Sequence, residues 1–452
     1  MRYPAAKIII YTGDTDAAPD MILAKARDRF NMQIPDTNLQ FVYLHKRRFA
    51  FFRFGIIYLH TVYRYVEAKY YPHFTMLGQS LGSLVLGVEA LLCFVPSIYI
   101  DTMGYSFTMP LFKYCGKSLV GCYVHYPTIS TDMLAQASIE IIYQNNTTWM
   151  QVQSRSSSYN NRRRVTQSPL ASYLKLRYYQ IFAWLYSKCG AAADCVMVNS
   201  SWTEEHIRSL WGRGEAGVAK VFPPCDTSHL SHTVGDRDRQ EVRVLSLGQF
   251  RPEKDHPLQI KAMFELRQIL AEEDWERVKL VIVGGCRGQD DWKLVQDLKD
   301  LTKYLSVENN VEFHPNLPFS DLLAEFSKST IGIHTMWNEH FGIGRHNIIQ
   351  NLSMTVLYAG IVEMMAAGLL TIAHRSGGPL MDIIVEDAGA RNGFLAVTPQ
   401  EYAAHIAYIL TMSEEAREGV RSRAAASSDM FSSSQFEGGW VRATDPLFAH
   451  FQ

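Results

Sequence analysis

The chain has 452 residues, 47% of them hydrophobic and 20% charged, with a formal net charge of −1. At about 100–200 residues per domain this is two or three domains with ample core, in the balance of an ordinary globular protein, and it gives nucleic acid no footing as a partner. Seven cysteines lie scattered without CxxC or CxH spacing, which argues against a zinc site and a disulfide framework and fits a reducing compartment. The most apolar stretch, residues 81–100, carries Glu89, several glycines and Pro96. It reads as a buried helix followed by a strand rather than a membrane span. Lys46, Arg47, Arg48, Arg53 and Arg64 sit among aromatics, and residues 162–164 form a second basic run. Such runs are either solvated loops or segments facing an anionic membrane surface.

In chain order, residues 7–11 (KIIIY) read as a strand ended by Gly13-Asp14, 20–29 as a helix and 41–44 as a strand. A helix over 77–92 and strands over 97–101 and 121–125 follow, the last stopped by Tyr126-Pro127. Residues 154–169 are basic and Ser-rich and read as a loop; 173–189 is an aromatic-rich helix, and 195–199 a strand. Ser201-x-x-Glu204 has the form of a capping box opening the next helix. After a charged linker at 232–239, the second half repeats the pattern. Strands are expected at 242–247, 279–283, 311–314, 330–335 and 370–374, and helices at 258–270, 291–305, 320–326, around 364–367, and at 403–412. Strand–helix alternation throughout implies parallel sheets covered on both faces. The fold class is therefore α/β, with two Rossmann-like domains facing across a cleft and ligands at the carboxyl ends of strands. The expected domains are 1–235 and 240–430, with a C-terminal tail at 431–452.

Three strand-end signals carry chemistry. GQFRPEK (248–254) places Arg251 and Lys254 three residues apart directly after a strand, a bidentate fork and a point charge suited to a diphosphate. Alone, it is as readily a charged surface turn. EHFGIG (339–344) supplies Glu339 for sugar hydroxyls, and Gly342 and Gly344 for close approach of backbone to phosphate. A lone GxG is weak. EMMAAG (363–368), followed by SGGP (376–379), offers Glu363 to ribose hydroxyls and small residues for close helix–sheet packing. Jointly, in this order and each at a strand end, the three are far more specific than any one. In the first half, His125 follows a strand and is a candidate donor near the reacting centre, although a lone histidine there is more often structural. A dehydrogenase reading rests only on VIVGG (281–285), which lacks G-x-G-x-x-G and a ribose acid at the right spacing.

These residues resemble a known family. YPHFTMLGQSLGS (71–83), YIDTMGYSFTMPLFKYCG (99–116), YVHYPTISTDML (123–134), VMVNSSWT (196–203), VFPPCD (221–226), GQFRPEKDHPLQI (248–260), GGCR (284–287) and HTMWNEHFGIG (334–344) are similar to the eukaryotic GDP-mannose-dependent α-1,2-mannosyltransferases of asparagine-linked glycan assembly. The likeness runs over nearly the whole chain. It implies a GT-B fold and a retaining, metal-independent transfer of mannose from GDP-mannose to dolichol-diphosphate-linked Man3GlcNAc2 and then Man4GlcNAc2, with no cofactor and no metal ligands. It further implies the cytoplasmic face of the endoplasmic reticulum membrane, with the membrane surface and other mannosyltransferases there as partners. By position, Arg251 and Lys254 would hold the diphosphate with Gly342 and Gly344, Glu339 would contact the mannose, Glu363 the ribose, and His125 would sit beside the transferred sugar. The family's Arg directly follows the Gly of the first phosphate motif. Here Gln249 holds that place, which leaves Lys254 the firmer assignment.

The chain also departs from the pattern. The family's two glutamates are spaced E-x7-E, whereas 23 residues separate Glu339 from Glu363. Removing residues 345–360 restores EHFGIGIVE, and these 16 residues lack turn chemistry and a helix cap, as a short intron read in frame would. A second extra segment is expected near 49–64. The family's anchoring helix, first strand and Gly-rich loop are expected to precede residue 1. Two other readings stand beside the leading one: a GT-B transferase of another nucleotide sugar or acceptor, and a non-catalytic partner in a membrane glycosyltransferase assembly.

Overall fold

The computed structural model describes residues 6–13, 17–30, 38–44, 66, 71, 74–135, 169–225, 227, 230, 241–337, 360–387 and 389–451. The expected loop at 154–168, the linker at 232–239 and the segment at 49–64 lie outside the described residues, as do 345–359. The chain divides into two compact units. One takes residues 1–198, 203–219 and 441–452; the other takes 199–202 and 220–440.

The first unit opens with β1 (Ile8–Thr12), α1 (Pro19–Phe30) and β2 (Leu39–Tyr43), the two strands pairing in parallel. Then come α2 (Thr75–Cys93), β3 (Ile98–Asp101), a short helical passage over Thr108–Pro110 and Leu111–Cys115, and β4 (Leu119–Val124). After these follow α3 (Pro169–Ala191), β5 (Cys195–Val198), α4 (Ser201–Trp211) and β6 (Ala219–Lys220). Strands β3 to β6 form a second sheet in chain order, parallel through β5. Strands β4 and β5 are buried along nearly their whole length, the signature of parallel strands covered on both faces. The core gathers Val120, Val124, Val196 and Val198 with Phe112, Phe182, Tyr186 and Trp211.

Two expectations need correction here. Helix α2 is buried on one face only: Ser83, Leu86, Gly87 and Ala90 point inward, while Leu81, Val85, Val88 and Leu92 are exposed. An apolar run without polar alternation cannot reveal which face packs. Ser201 does begin α4, but its hydroxyl and N–H both donate to the carboxylate of Asp382, the N–H at 2.8 Å, and Lys220 Nζ donates to the same hydroxyl at 2.6 Å. The cap thus comes from a residue 181 positions away rather than from the Ser201–Glu204 box.

The second unit runs β7 (Val242–Leu247), α5 (His256–Ile269), α6 (Glu272–Arg277), β8 (Val278–Gly284), α7 (Gln289–Tyr304), β9 (Val311–Pro315), α8 (Phe319–Lys328), β10 (Ile331–Ile333), α9 (Gly360–Ala366), β11 (Leu370–His374), β12 (Phe394–Ala396), α10 (Pro399–Thr411), α11 (Glu414–Ser428) and α12 (Ser433–Ala449). Its sheet has the order β12-β11-β10-β7-β8-β9, all pairs parallel. This is the doubly wound order, reversing direction between β7 and β10, where such sheets bind ligands at the strand ends. Residues 431–452, expected as a tail, are mostly α12. From Val441 onward they belong to the first unit, where Leu447 is buried against Gly121.

Candidate functional site

The strand ends at the reversal between β7 and β10 bring the first and third sequence signals together through main-chain geometry. After β7 the chain passes Gly248, turns through the short helix Pro252–Lys254 and enters α5 at His256. Lys254 folds back over the strand end: a Cβ on Gly248 would lie 3.3–3.4 Å from Lys254 Cδ and Cγ. Its stem therefore rests where any larger residue at 248 would displace it. Asp255 completes the reversal in the left-handed region, φ 47°.

Thr335, just past β10, pins this turn. Its hydroxyl donates to the Lys254 carbonyl at 2.8 Å, with Asp255 O at 3.2 Å, and accepts from Gln259 Nε2 at 2.9 Å. Thr335 and Gln259 are fully buried, so these bonds exchange little with water. His256, also buried, bonds Gln249 O through Nε2 at 3.2 Å. Burial pushes its pKa down to about 4, against the opposing pull of its bonds to Gln249 and Gln259, so it is neutral at pH 7.

The third signal lands beside the first. Helix α9 begins at Gly360, where a Cβ would sit 3.5 Å from Leu247 O, so the helix starts over the end of β7. Glu363 lies in its first turn and is half-buried. The helix comes this close because Gly332 on β10 has no side chain: a Cβ there would meet Met364 Sδ at 2.6 Å. Gly368, at φ 73°, ends the helix at the Ala-Ala-Gly run.

Arg251 is less committed than Lys254. Its side chain is 38% exposed and faces Glu253 at 3.9 Å. Glu339, Gly342 and Gly344 lie outside the described residues.

Sequence reading missed the residues that fasten these loops. Gly284 ends β8 against Gly248, and a Cβ on it would lie 1.9 Å from Gly248 O, a contact only glycine permits. Asn316, at φ 58°, accepts from Cys286 N–H at 2.8 Å and returns a bond to Cys286 O at 3.1 Å, clamping the loop after β8. The GGCR and P-N pairs were visible in sequence, but nothing local couples residues 30 apart.

His125 belongs to the first unit, one residue past β4. Its ring stands edge-on to Tyr123, centroids 4.7 Å apart. Burial lowers its pKa, which favours the neutral imidazole. Among the described residues, no cluster of three or more His, Cys, Asp or Glu side chains could hold a metal ion.

Known proteins match this chain over nearly all its length. Residues 1–211 fit the family described as ALG11 mannosyltransferase N-terminus, and 231–345 fit glycosyl transferases group 1. The GDP-Man:Man(3)GlcNAc(2)-PP-Dol alpha-1,2-mannosyltransferase of Homo sapiens is 44% identical over 99% of the chain and 81% of its own length. The chain belongs to the ALG11 mannosyltransferase family. Other members bearing the same enzyme name include the Xenopus laevis protein, 43% identical over 99% of the chain and 82% of its own length, and that of Caenorhabditis elegans, 38% over 99% and 85%. Among solved structures, Anabaena Alr3699/HepE in complex with UDP and glucose aligns with TM-score 0.55 and 15% identity, covering 97% of this chain and 91% of that one. The OtsA apo structure aligns with TM-score 0.56 and 10% identity over 82% and 77%. These likenesses establish for this family member the α/β fold of GT-B glycosyltransferases.

Proposed function

We propose that this chain transfers mannose from GDP-mannose, in α-1,2 linkage, to dolichol-diphosphate-linked Man3GlcNAc2 and then Man4GlcNAc2. The observation that carries this reading is the identity of 44% over 99% of the chain to the human enzyme of that name. The strand-end geometry supports it, since Lys254, Thr335 and the start of α9 converge where a doubly wound sheet takes its ligand.

In this reading Lys254 and Arg251, with Gly342 and Gly344, hold the diphosphate, Glu339 contacts the mannose, and Glu363 the ribose. His125, as a neutral imidazole, sits beside the transferred sugar. No metal and no protein nucleophile take part. The leaving phosphate accepts the acceptor hydroxyl's proton on the face it departs from, so the configuration is retained. The protein's work is then positioning and stabilising charge on the leaving diphosphate.

The test is transfer of labelled mannose by the purified chain in lipid, comparing GDP-mannose with UDP-glucose on dolichol-diphosphate-linked Man3GlcNAc2. Mannose-extended products that α-1,2-mannosidase trims support the reading. Preference for the uridine donor points to another transferase of the same fold. Absence of transfer with either donor leaves a non-catalytic family member.

The acceptor's lipid requires work at a membrane surface, on the cytoplasmic face of the endoplasmic reticulum in this reading. Two helices of the first unit suit it. Helix α2 is 19 residues long and apolar enough to cross a membrane, yet carries its exposed Leu81, Val85, Val88 and Leu92 on one stripe. Helix α3 exposes Tyr173, Leu174, Ile181 and Trp184, with Arg177 against the Tyr173 ring and Lys188 against Trp184. Aromatics with snorkelling cations beside an apolar stripe form an interfacial surface for anionic lipid.

A further inference from the structure

Gln249 follows Gly248 past the end of β7, and its main chain is held from several sides. Its carbonyl accepts the Arg251 N–H at 2.8 Å and bonds His256 Nε2 at 3.2 Å. Its neighbours are tied to the end of β8, Gly248 N–H to Val283 O and Phe250 N–H to Gly285 O, both at 3.1 Å, and Phe250 is fully buried. The side chain is the free part. It is half-buried and runs beside Gly285, where a Cβ would lie 3.9 Å from Gln249 Cγ. Among the described residues nothing bonds its carboxamide.

Lys254 lies across the same strand end: its Cγ, Cδ and Cε all come within 3.7 Å of where a Gly248 Cβ would be. One rigid turn therefore carries a cation and an unengaged carboxamide, while the Arg251 guanidinium faces Glu253 at 3.9 Å. A carboxamide donates to a phosphate oxygen as an arginine does, but brings no charge. That difference matters at the end of the reaction. As the bond from mannose C1 to the phosphate oxygen breaks and C1 joins the acceptor oxygen, the acceptor's proton passes to the leaving phosphate. With a second pKa of about 6, that phosphate gives the proton up to water. The spent nucleoside diphosphate then carries one more negative charge than the donor did. A second fixed cation beside Lys254 would hold product more tightly than substrate, whereas a neutral donor group holds the two alike.

We propose that Gln249 is a specificity-determining residue of the donor site: its carboxamide donates to the diphosphate, and its lack of charge keeps spent GDP from outcompeting GDP-mannose, so that the site empties between successive transfers. This rests on the reading of Lys254 and of the donor given above, and the test separates the two. The full chain in lipid is titrated calorimetrically with GDP, GDP-mannose and guanosine as wild type, Gln249→Ala, Gln249→Glu, Gln249→Arg and Lys254→Ala. Gln249→Ala should weaken GDP and GDP-mannose equally, by about tenfold or more, the measure of a hydrogen bond to a charged group. Guanosine affinity should stay unchanged, which also reports that the variant is folded. Gln249→Glu keeps the shape and should weaken GDP more than GDP-mannose. Gln249→Arg should tighten GDP on the order of tenfold more than GDP-mannose, and transfer should then show a burst of a single mannose per enzyme before slow release. GDP binding untouched in all three Gln249 variants while Lys254→Ala weakens it would overturn the proposal, and so would an arginine variant that tightens both ligands equally. Unchanged GDP binding in Lys254→Ala would instead defeat the donor-site reading itself.

Discussion

The Thr335 hydroxyl donates to the Lys254 carbonyl at 2.8 Å, joining the end of β10 to the turn after β7. Thr335→Val keeps the shape but strands the Lys254 carbonyl and the Gln259 amide. An unsatisfied buried group costs about 1–3 kcal/mol, so thermal stability should fall by that order. KM for GDP-mannose should rise more than kcat falls. Thr335→Ser should restore both, and a serine variant no better than valine would count against the hydroxyl.

Lys254→Ala should cripple transfer. Removing a preorganised charge partner of the leaving group costs about 2–4 kcal/mol in the transition state, or roughly 30- to 900-fold in kcat/KM. Arg251→Ala should cost less, because that side chain is 38% exposed. Steady-state kinetics of the two variants checks the order, and near-normal turnover of Lys254→Ala would remove it from the site.

Gly284→Ala should destabilise the second unit. A methyl group 1.9 Å from Gly248 O cannot be accommodated without moving β7 or β8. Overpacking of this kind costs about 1–3 kcal/mol, and more where the neighbour is backbone. Chemical denaturation measures it, and an unchanged midpoint would show that the strand ends yield.

Deleting residues 345–360 should raise GDP-mannose affinity and activity. Helix α9 starts at Gly360, against Leu247 O, and the deletion puts Gly344 in the position preceding Ile361. The glycine turn then leads straight into the helix that carries Glu363. Sixteen residues of continuous helix at about 1.5 Å each would instead displace Glu363 by roughly 24 Å. Calorimetric titration with GDP-mannose decides it: binding no tighter than that of the intact chain ends the idea.

Acid should weaken the second unit through His256. Its folded pKa, about 4, lies below the ordinary 6.5. The unfolded chain therefore takes up the proton first, and stability is lost as pH falls from about 6.5 toward 4. By pH 5 the loss is about 2 kcal/mol. His256→Gln should lose correspondingly less between pH 7 and pH 5 in denaturant titrations. An identical pH dependence would mean the imidazole protonates freely in the fold.

Binding to vesicles should depend on α2 and α3. The basic residues Lys46, Arg47, Arg48, Arg53 and Arg64 lie outside the described residues, whereas Leu92 is 79% and Trp184 59% exposed. Changing Val88 and Leu92 to Glu, or Trp184 to Ala with Arg177 to Glu, should reduce flotation with vesicles containing phosphatidylserine. Those sites are exposed, so the fold should survive. Undiminished flotation would place the contact elsewhere.

Periodicity located the strands of the second unit closely: 242–247 and 370–374 were read with the bounds of β7 and β11. Strand ends are marked by Gly, Pro and charged residues, so the loops bearing Lys254 and Glu363 were legible too. What tied them together was not. Thr335 and Lys254 are 81 positions apart, Asn316 and Cys286 30, Asp382 and Ser201 181. Such pairs follow from strand order, which one sequence does not encode locally.

The helix Ser433–Ala449 begins in the second unit and ends in the first, where Leu447 is 2% exposed against Gly121 and Cys195 Sγ lies 3.0 Å from Ala443 O. During synthesis, then, the first unit cannot cover Gly121 until the ribosome has released the chain through Leu447. The sheet running from β7 to β12 is complete in sequence by Ala396 and is free to fold earlier. Until the last helix arrives, the half of the protein made first keeps Gly121 uncovered, and it is this half that a premature stop late in the message would leave for quality control.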